Sequence, residues 1–556
     1  GRQRLPPRMA ARMATRRLGG PFAATLALFQ ALPAALGDGG AEAESCAAGP
    51  DGRGCTAAAG APPLWPRARG HLGSYSLVNL TGPWDLSKPS LVWYPGGAAY
   101  RDVVLCGPLV DADGNLYVTS VLAIHKLAPD GSRIWNSTLG GAQFADCPSL
   151  DGGRIFGTDK AGYVFSMDTR SGEVLWRRKH GLGLSGDTSY VEVHDGVVIY
   201  EGNANPPAFA ESPSVLAVDA ETGNLLWEFV PDTPVWNLMA IFPQDGTVVF
   251  QDYNARTYRL GLHNGSLLWK AGGAKDQTWT DGGCILGNNG VVYAVSSKAQ
   301  VMNHHPKSGG GVHAYDLATG RLLWEKHLER PVFTWPAVGR LAGRSDLSVI
   351  IGVGSNGYFP LNAVFWGPFW ALLRTGLCLG LAAWALRALA RWSRRWSLLK
   401  CLLKGAVLGL ALNGIVSLIY VSGILVPIGS FQAEIYAFDA ATGKQQWVFE
   451  IPEWKRWYSA GDWEGFDERT RSVPDRSVCL PAAYNSPTID AAGTVYMGFM
   501  SGVLYALRDA NGDGRVSGEG EVSEVDTRDA FLHSGVSLTP GLMAVTNCDA
   551  LYVWRT

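Results

Sequence analysis

Short apolar runs with alternating polar neighbours recur along this chain, and each ends in the same polar turn. Val, Tyr, Leu and Phe dominate the runs, with Gly, Asp and Asn between them, which is the pattern of short antiparallel strands. A Gly-led run opens each unit, as in Gly114-Asn-Leu-Tyr-Val118, Gly246-Thr-Val-Val-Phe250 and Gly493-Thr-Val-Tyr-Met497. A second run follows, as in Gly162-Tyr-Val-Phe-Ser-Met167 and Gly502-Val-Leu-Tyr-Ala-Leu507. The unit then closes on Asp, a Thr-Gly or Ser-Gly turn, and a strand ending in Trp. Clear copies run Asp168 to Trp176, Asp219 to Trp227, Asp316 to Trp324 and Asp439 to Trp447, and looser ones end at Trp135 and Trp269. Asp can bond its own backbone and Gly accepts positive φ, so the phrase suits a tight turn.

A repeat of this kind predicts one closed array of small sheets. Units start near Leu116, Ile155, Val197, Val248, Val291, Val349, Val495 and Leu542, which makes eight. The last unit stops before its outer strand, whereas Ser90-Leu-Val-Trp93 stands unused ahead of the first. The spacing predicts that this N-terminal strand completes the eighth sheet and closes the ring, leaving short protected edges. The expected fold class is all-β, an eight-bladed β-propeller. The Trp residues (Trp93, Trp135, Trp176, Trp227, Trp269, Trp324 and Trp447) are expected to pack between neighbouring sheets, with the indole N–H seeking a partner.

These residues resemble the pyrroloquinoline-quinone-type (PQQ-type) repeat propellers. That group includes the quinoprotein alcohol dehydrogenases and the outer-membrane assembly factor B lipoproteins. The resemblance covers roughly Ser90 to Thr556 apart from one insertion, and it speaks for fold more than for function. For the enzymes it implies a vicinal Cys-Cys disulfide, a calcium held partly by Glu and Asn, and a catalytic Asp. No two cysteines are adjacent in this chain, no Asp matches the catalytic one, and Glu201-Gly-Asn-Ala-Asn205 is the isolated acidic-polar candidate. Neither a catalytic nor a quinone-binding residue is therefore assigned.

The sixth unit breaks the period. Val349-Ile-Ile-Gly-Val353 is followed by Glu434-Ile-Tyr-Ala-Phe438 only after a long gap, and no acidic residue lies between Asp346 and Glu434. Two apolar segments, about Leu361–Leu386 and Leu402–Ile428, each exceed the roughly 20 residues that span a hydrocarbon core. Arg387, Arg391, Arg394, Arg395, Lys400 and Lys404 lie between them, so the positive-inside rule places residues 387–404 in the cytoplasm. The expectation is a two-span membrane hairpin over 361–428, with the propeller on the lumenal or extracellular side; a helical hairpin buried within protein is the other reading. Gly376, Gly380, Gly405 and Gly409 have the small-xxx-small spacing that lets two helices approach.

Residues 1–37 read as a signal peptide or signal anchor, with Arg12, Arg16 and Arg17 before an apolar core. The Ala-, Gly- and Pro-rich residues 38–88 are expected to be disordered. The propeller is then expected over 89–360 and 429–556. Cys46 and Cys55, Cys106 and Cys147, and Cys479 and Cys548 are candidate disulfide partners, though spacing leaves the pairing open. Asn79, Asn136 and Asn264 head glycosylation triplets.

Asp509-Ala-Asn-Gly-Asp-Gly-Arg-Val-Ser517 is similar to the first part of an EF-hand calcium loop. Asp509, Asn511, Asp513, the Arg515 carbonyl and Ser517 would be ligands. Position 12 is Gly520, so Glu521 would have to serve instead. A structural calcium and an acidic turn without metal both fit. The net charge of −2 gives no pull toward nucleic acid. Two function classes remain. One is a non-catalytic propeller that binds another protein, or a glycan, on its face or in its channel. The other is a quinone-dependent dehydrogenase using that channel.

Overall fold

The computed structural model of the protein describes residues 62–70, 78–95, 102–144, 146–180, 189–202, 213–273, 283–298, 309–354, 372–373, 376–384, 402–411, 431–455, 459–461 and 483–556. Eight small antiparallel sheets form an eight-bladed propeller. Blade 1 contains Val104–Val110, Leu116–Ser120, Ile124–Leu127 and Arg133–Ser137. Blade 8 is built from Ser537–Thr539, Leu542–Thr546 and Leu551–Arg555, and its outer strand is Leu91–Trp93 from the other end of the chain. The register is Leu91 opposite Val553 and Trp93 opposite Leu551. The ring closes as the leftover N-terminal strand required.

The runs read as unit starts prove to be second strands. Inside most of them lies a shorter strand next to the axis, such as Ser149–Asp151, Glu192–His194, Cys284–Leu286 or Thr488–Ile489; blade 4 has only the isolated bridge of Ile241 with Val249 there, and the inner strand of blade 1 is the longer Val104–Val110. Two or three residues are too few to show an alternation, and periodicity misses them.

The repeat phrase is a clasp between blades. In the turn, Asp219 accepts hydrogen bonds from the Thr222 amide and hydroxyl, at 2.8 and 2.6 Å, and Asp316 and Asp439 do the same for Thr319 and Thr442. The following Gly takes positive φ, as Gly223 does at 71°. That Gly also leaves room for the Trp of the preceding blade. A Cβ on Gly223 would lie 2.5 Å from the Trp176 ring, and one on Gly443 would lie 2.7 Å from Trp324. Trp135, Trp176, Trp227, Trp269 and Trp324 donate their indole N–H to the carbonyls of Thr169, Ala220, Leu262, Leu317 and Ala440 in the next blade, at 2.8–3.1 Å. A bulge precedes each of these Trp residues in its strand pairing, and it turns the indole toward the seam. Trp93 instead meets the His125 ring of blade 1 edge-on at 5.2 Å.

The core is accordingly a series of apolar layers between blades. Val197, Ile199, Val248 and Phe250 share one layer, and Ile285, Tyr293, Val349 and Ile351 share another.

The interrupted sixth blade resumes in register. Leu347–Gly354 pairs with Phe431–Asp439, Ser348 lying opposite Asp439. The described helical residues of the insertion, 372–373, 376–384 and 402–411, belong to a second compact unit. Within it, a Cβ on Gly376 would lie 2.1 Å from the Gly405 carbonyl oxygen, so these helices meet backbone to backbone. The two-span membrane assignment is corrected here, and with it the lumenal placement of the propeller and the cytoplasmic 387–404 loop. No described helix is long and apolar enough to cross a membrane. The remainder of 361–428 and the signal segment 1–37 lie outside the described residues.

Candidate functional site: the central channel

Innermost strands as short as these leave the axis to be filled by loops and by whatever else the chain provides. The filling comes from a stretch that composition assigned to disorder. Residues 62–70 and 78–88 are packed against the propeller, with Trp65, Arg67, Ala68, Arg69 and Leu86 buried. The expectation for 38–88 is corrected over these residues, and 38–61 lie outside the described ones. Low apolar content misleads here because the segment needs no core of its own. It borrows the walls of the ring.

Residues 65–70 touch seven of the eight blades. Trp65 exchanges both backbone hydrogen bonds with Val110 of blade 1, at 3.0 and 2.9 Å. The Leu150 amide of blade 2 donates to the Pro66 carbonyl, and the Gly535 amide of blade 8 donates to that of Ala68, both at 2.8 Å. Arg67 reaches blade 3, where Nε lies 2.8 Å from Glu192 Oε2 and Nη2 donates to the Val193 carbonyl. Its guanidinium also sits over the Phe242 ring of blade 4, at 5.5 Å. Arg69 donates to the Cys284 carbonyl of blade 5 at 3.3 Å and lies 5.6 Å from the Trp335 ring of blade 6. A six-residue segment meeting so many inner strands runs along the axis.

Three rings from blades 3, 6 and 8 close the channel around it. Tyr190, Trp335 and His533 meet edge to face, with centroids 4.9–6.3 Å apart. The Cys106–Cys147 disulfide joins blade 1 to the lead-in of blade 2 and packs with Ala68, Tyr190, Met239 and Trp335. Cys548 is disulfide-bonded as well, whereas Cys46, Cys55 and Cys479 lie outside the described residues.

Burial governs the electrostatics of this site. Arg67 and Glu192 are 3% and 2% exposed. Desolvation pushes the Glu192 carboxyl up to about 7 against the opposing pull of Arg67 and Arg69. The same burial pushes the Arg69 guanidinium down to about 10, the His533 imidazole down to about 3 and the Cys284 thiol up to about 12. The axis thus holds two cations against one carboxyl, two carbonyls and two aromatic faces, which is the chemistry of guanidinium recognition.

The remaining sequence candidates lie on the rim. The 509–521 loop stands at the seam between blades 6 and 7, where a turn would otherwise receive Trp447. It bonds directly to the outer strand of blade 6: the Val448 amide donates to the Gly514 carbonyl and the Val516 amide to that of Val448, at 3.1 and 2.9 Å. Arg344 grips Asp509 at 2.9 Å and Arg515 grips Glu450 at 2.6 Å. Glu521 Oε1 accepts from the Ala510 and Asn511 amides, and Oε2 accepts from that of Ser517, at 3.0–3.1 Å. Asn511 and Asp513 bond to each other and to nearby amides. Among the described residues no three of His, Cys, Asp or Glu are placed to hold a metal ion. The loop is closed by its own hydrogen bonds. Asn79, Asn136 and Asn264 are exposed. Glu201 is buried within the second strand of blade 3, where its Oε2 accepts from the Leu238 amide at 3.4 Å.

Comparison with known proteins agrees with this architecture. A family model described as outer membrane protein assembly factor BamB matches residues 119–303 and 208–345. Its repeats are BamB-like. The match begins within blade 1 and ends within blade 6, ahead of its interruption. BamB of Burkholderia pseudomallei (strain K96243) is 26% identical over 228 residues, which is 39% of this chain and 53% of the relative. BamB of Nitrosomonas eutropha is 26% identical over 240 residues, 42% of this chain and 51% of the relative. The chain thus spans about half the length of the curated relatives it matches. Among solved structures, the quinohemoprotein alcohol dehydrogenase of Comamonas testosteroni superposes with a TM-score of 0.53 at 14% identity, over 89% of this chain and 80% of that one. The enzyme ADHIIG of Pseudomonas putida HK5 gives 0.51 at 12%, over 88% and 80%. At such identities these two show the fold alone.

Proposed function

We propose that this propeller is a non-catalytic module that binds another protein. The observation that carries the reading is the occupied axis. A dehydrogenase of this architecture would need the channel for a flat cofactor, and here Trp65 to Gly70 run through it between Glu192, Cys284 and Trp335. The resemblance to factors named for outer-membrane protein assembly supports a protein partner over a small-molecule substrate.

The test has two parts. Purified protein is given PQQ and calcium, and dye-linked alcohol oxidation is followed. No dye reduction is expected, and turnover that depends on added quinone would overturn the reading. Photo-crosslinkers are then placed in turn on the loops of each propeller face. One face is expected to trap a defined partner that single-residue changes on that face abolish.

A further inference from the structure

We propose that the central channel is a socket for a basic peptide of Arg-x-Arg pattern, and that residues 65–70 are its tethered, exchangeable ligand. This rests on the protein-binding reading above and gives that reading a recognition chemistry.

Residues 65–70 are held as a bound peptide is held. They belong to no sheet. Only two isolated bridges mark them, Trp65 with Val110 and Arg67 with Gly70. The ring does not need them for closure, which Leu91–Trp93 provides separately. Their backbone is read by the Val110, Leu150 and Gly535 main chain, a sequence-independent grip. Sequence is read by the two arginines, which face different walls. Arg67 takes the one buried carboxyl that it contacts, Glu192, together with the Val193 carbonyl and the face of Phe242. Arg69 takes the Cys284 carbonyl and the face of Trp335. Between them Ala68 is nearly enclosed, so a larger side chain at that position would not fit. Gly70 turns the chain at φ 86°, with Trp65 packed 3.1 Å from where its Cβ would be.

The grip is also incomplete. Among the described residues, Arg67 Nη1 and Arg69 Nε and Nη1 are buried without a hydrogen-bond acceptor. Each unmade bond costs the bound state its desolvation, so the segment is held less firmly than its burial suggests. A peptide that offers the same guanidinium pair can compete for the socket.

The experiment uses the full chain carrying Arg67→Ala and Arg69→Ala, with a fluorescein-labelled peptide of sequence Pro62 to Gly70 followed by anisotropy. The variant is expected to bind the peptide at least tenfold more tightly than the unmodified chain, whose socket is filled. A peptide with both arginines replaced by Ala should bind at least tenfold more weakly, and adding Glu192→Gln to the variant should cost a further tenfold. A folded variant that does not distinguish the two peptides, or an unmodified chain that binds equally well, overturns the proposal. If the variant fails to melt cooperatively, hydrogen exchange on the unmodified chain decides. The Leu150 and Gly535 amides are expected to exchange at least tenfold faster than the Val249 amide, by release of the segment alone. Exchange of all three at the rate of global unfolding overturns the proposal. Failure of peptide exchange leaves partner capture on a propeller face untouched, and failure of capture leaves the socket standing, so the two readings fall separately.

Discussion

The rim and the axis of this propeller are held together in opposite ways. On the rim, one contact is made again and again: a Trp from one blade enters the turn of the next, over a Gly and onto a carbonyl. On the axis, every contact is made once. One segment, one buried Arg67–Glu192 pair and one Cys106–Cys147 disulfide serve the whole ring. Repetition spreads stability over many equivalent places, so that no single clasp is decisive. The axis concentrates it, and also sets charged groups where water cannot reach them.

Four measurements would break or sharpen this contrast. The largest effect is expected from removing the disulfide. Its 41-residue separation stabilises by about 4 kcal/mol in the chain-entropy account, so Cys106→Ala with Cys147→Ala should lower the unfolding free energy by that order in a denaturant titration. Next come single truncations. Trp227→Ala should cost about 3–4 kcal/mol through lost packing and a lost indole hydrogen bond, and Trp176→Ala nearly the same. Arg67→Ala should cost about 3 kcal/mol by stranding Glu192, whereas removing the surface arginine of the Arg515–Glu450 pair should cost under about 1 kcal/mol. Unequal losses among the rim Trp variants would show that the clasps are not equivalent.

The pH dependence is a smaller effect with a definite sign. Glu192 titrates near 7 in the fold and near 4.5 unfolded, so its stabilisation is full below 4.5 and is lost as pH rises toward 7. His533 titrates near 3 in the fold and near 6.5 unfolded, so its stabilisation is full above 6.5 and is lost as pH falls. Between 4.5 and 6.5 the two slopes oppose, each at most about 1.4 kcal/mol per pH unit. Relative to the unmodified chain, Glu192→Gln should lose stability from pH 7 to pH 5, and His533→Gln should gain it, read as the difference in denaturation midpoint. The smallest effect concerns the 509–521 loop. Glu521 already satisfies three loop amides, so millimolar calcium added to chelator-treated protein should move the melting temperature by no more than about half a degree, equivalent to about half a kcal/mol for a chain of this size. A larger upward shift would mean that calcium captures Glu521 from those amides.

The same contrast explains what could be read from the chain. The phrase from Asp219 to Trp227 recurs, and recurrence exposes blade number, turn chemistry and the strand that closes the ring. The axis has no period. Trp65, Arg67 and Arg69 sit among Pro, Gly and Ala, and their partners Glu192, Cys284 and Gly535 are scattered along the chain. Nothing local marks them, except that a lone Trp and two Arg in a small-residue tract are expensive to leave unused. The innermost strands escaped for a related reason, being too short and too evenly buried to alternate. The acidic loop was legible as chemistry but not as place. Its resemblance to a calcium loop was visible, and its bonding across the seam to Val448 was not. The apolar insertion shows the reverse error, where hydropathy suggested spans that no described helix supplies.

The closing strand also sets the order in which the molecule can come into being. The Trp554 indole donates to the Leu86 carbonyl, 468 residues away, and Leu91–Trp93 waits for Leu551–Val553 as its partner. A chain growing from its N-terminus carries that strand unpaired until residues 551–553 have been made. Until then it is an open edge, the kind of surface that recruits strands from other molecules. Seven blades and the rest of the eighth must therefore be made before this edge is covered.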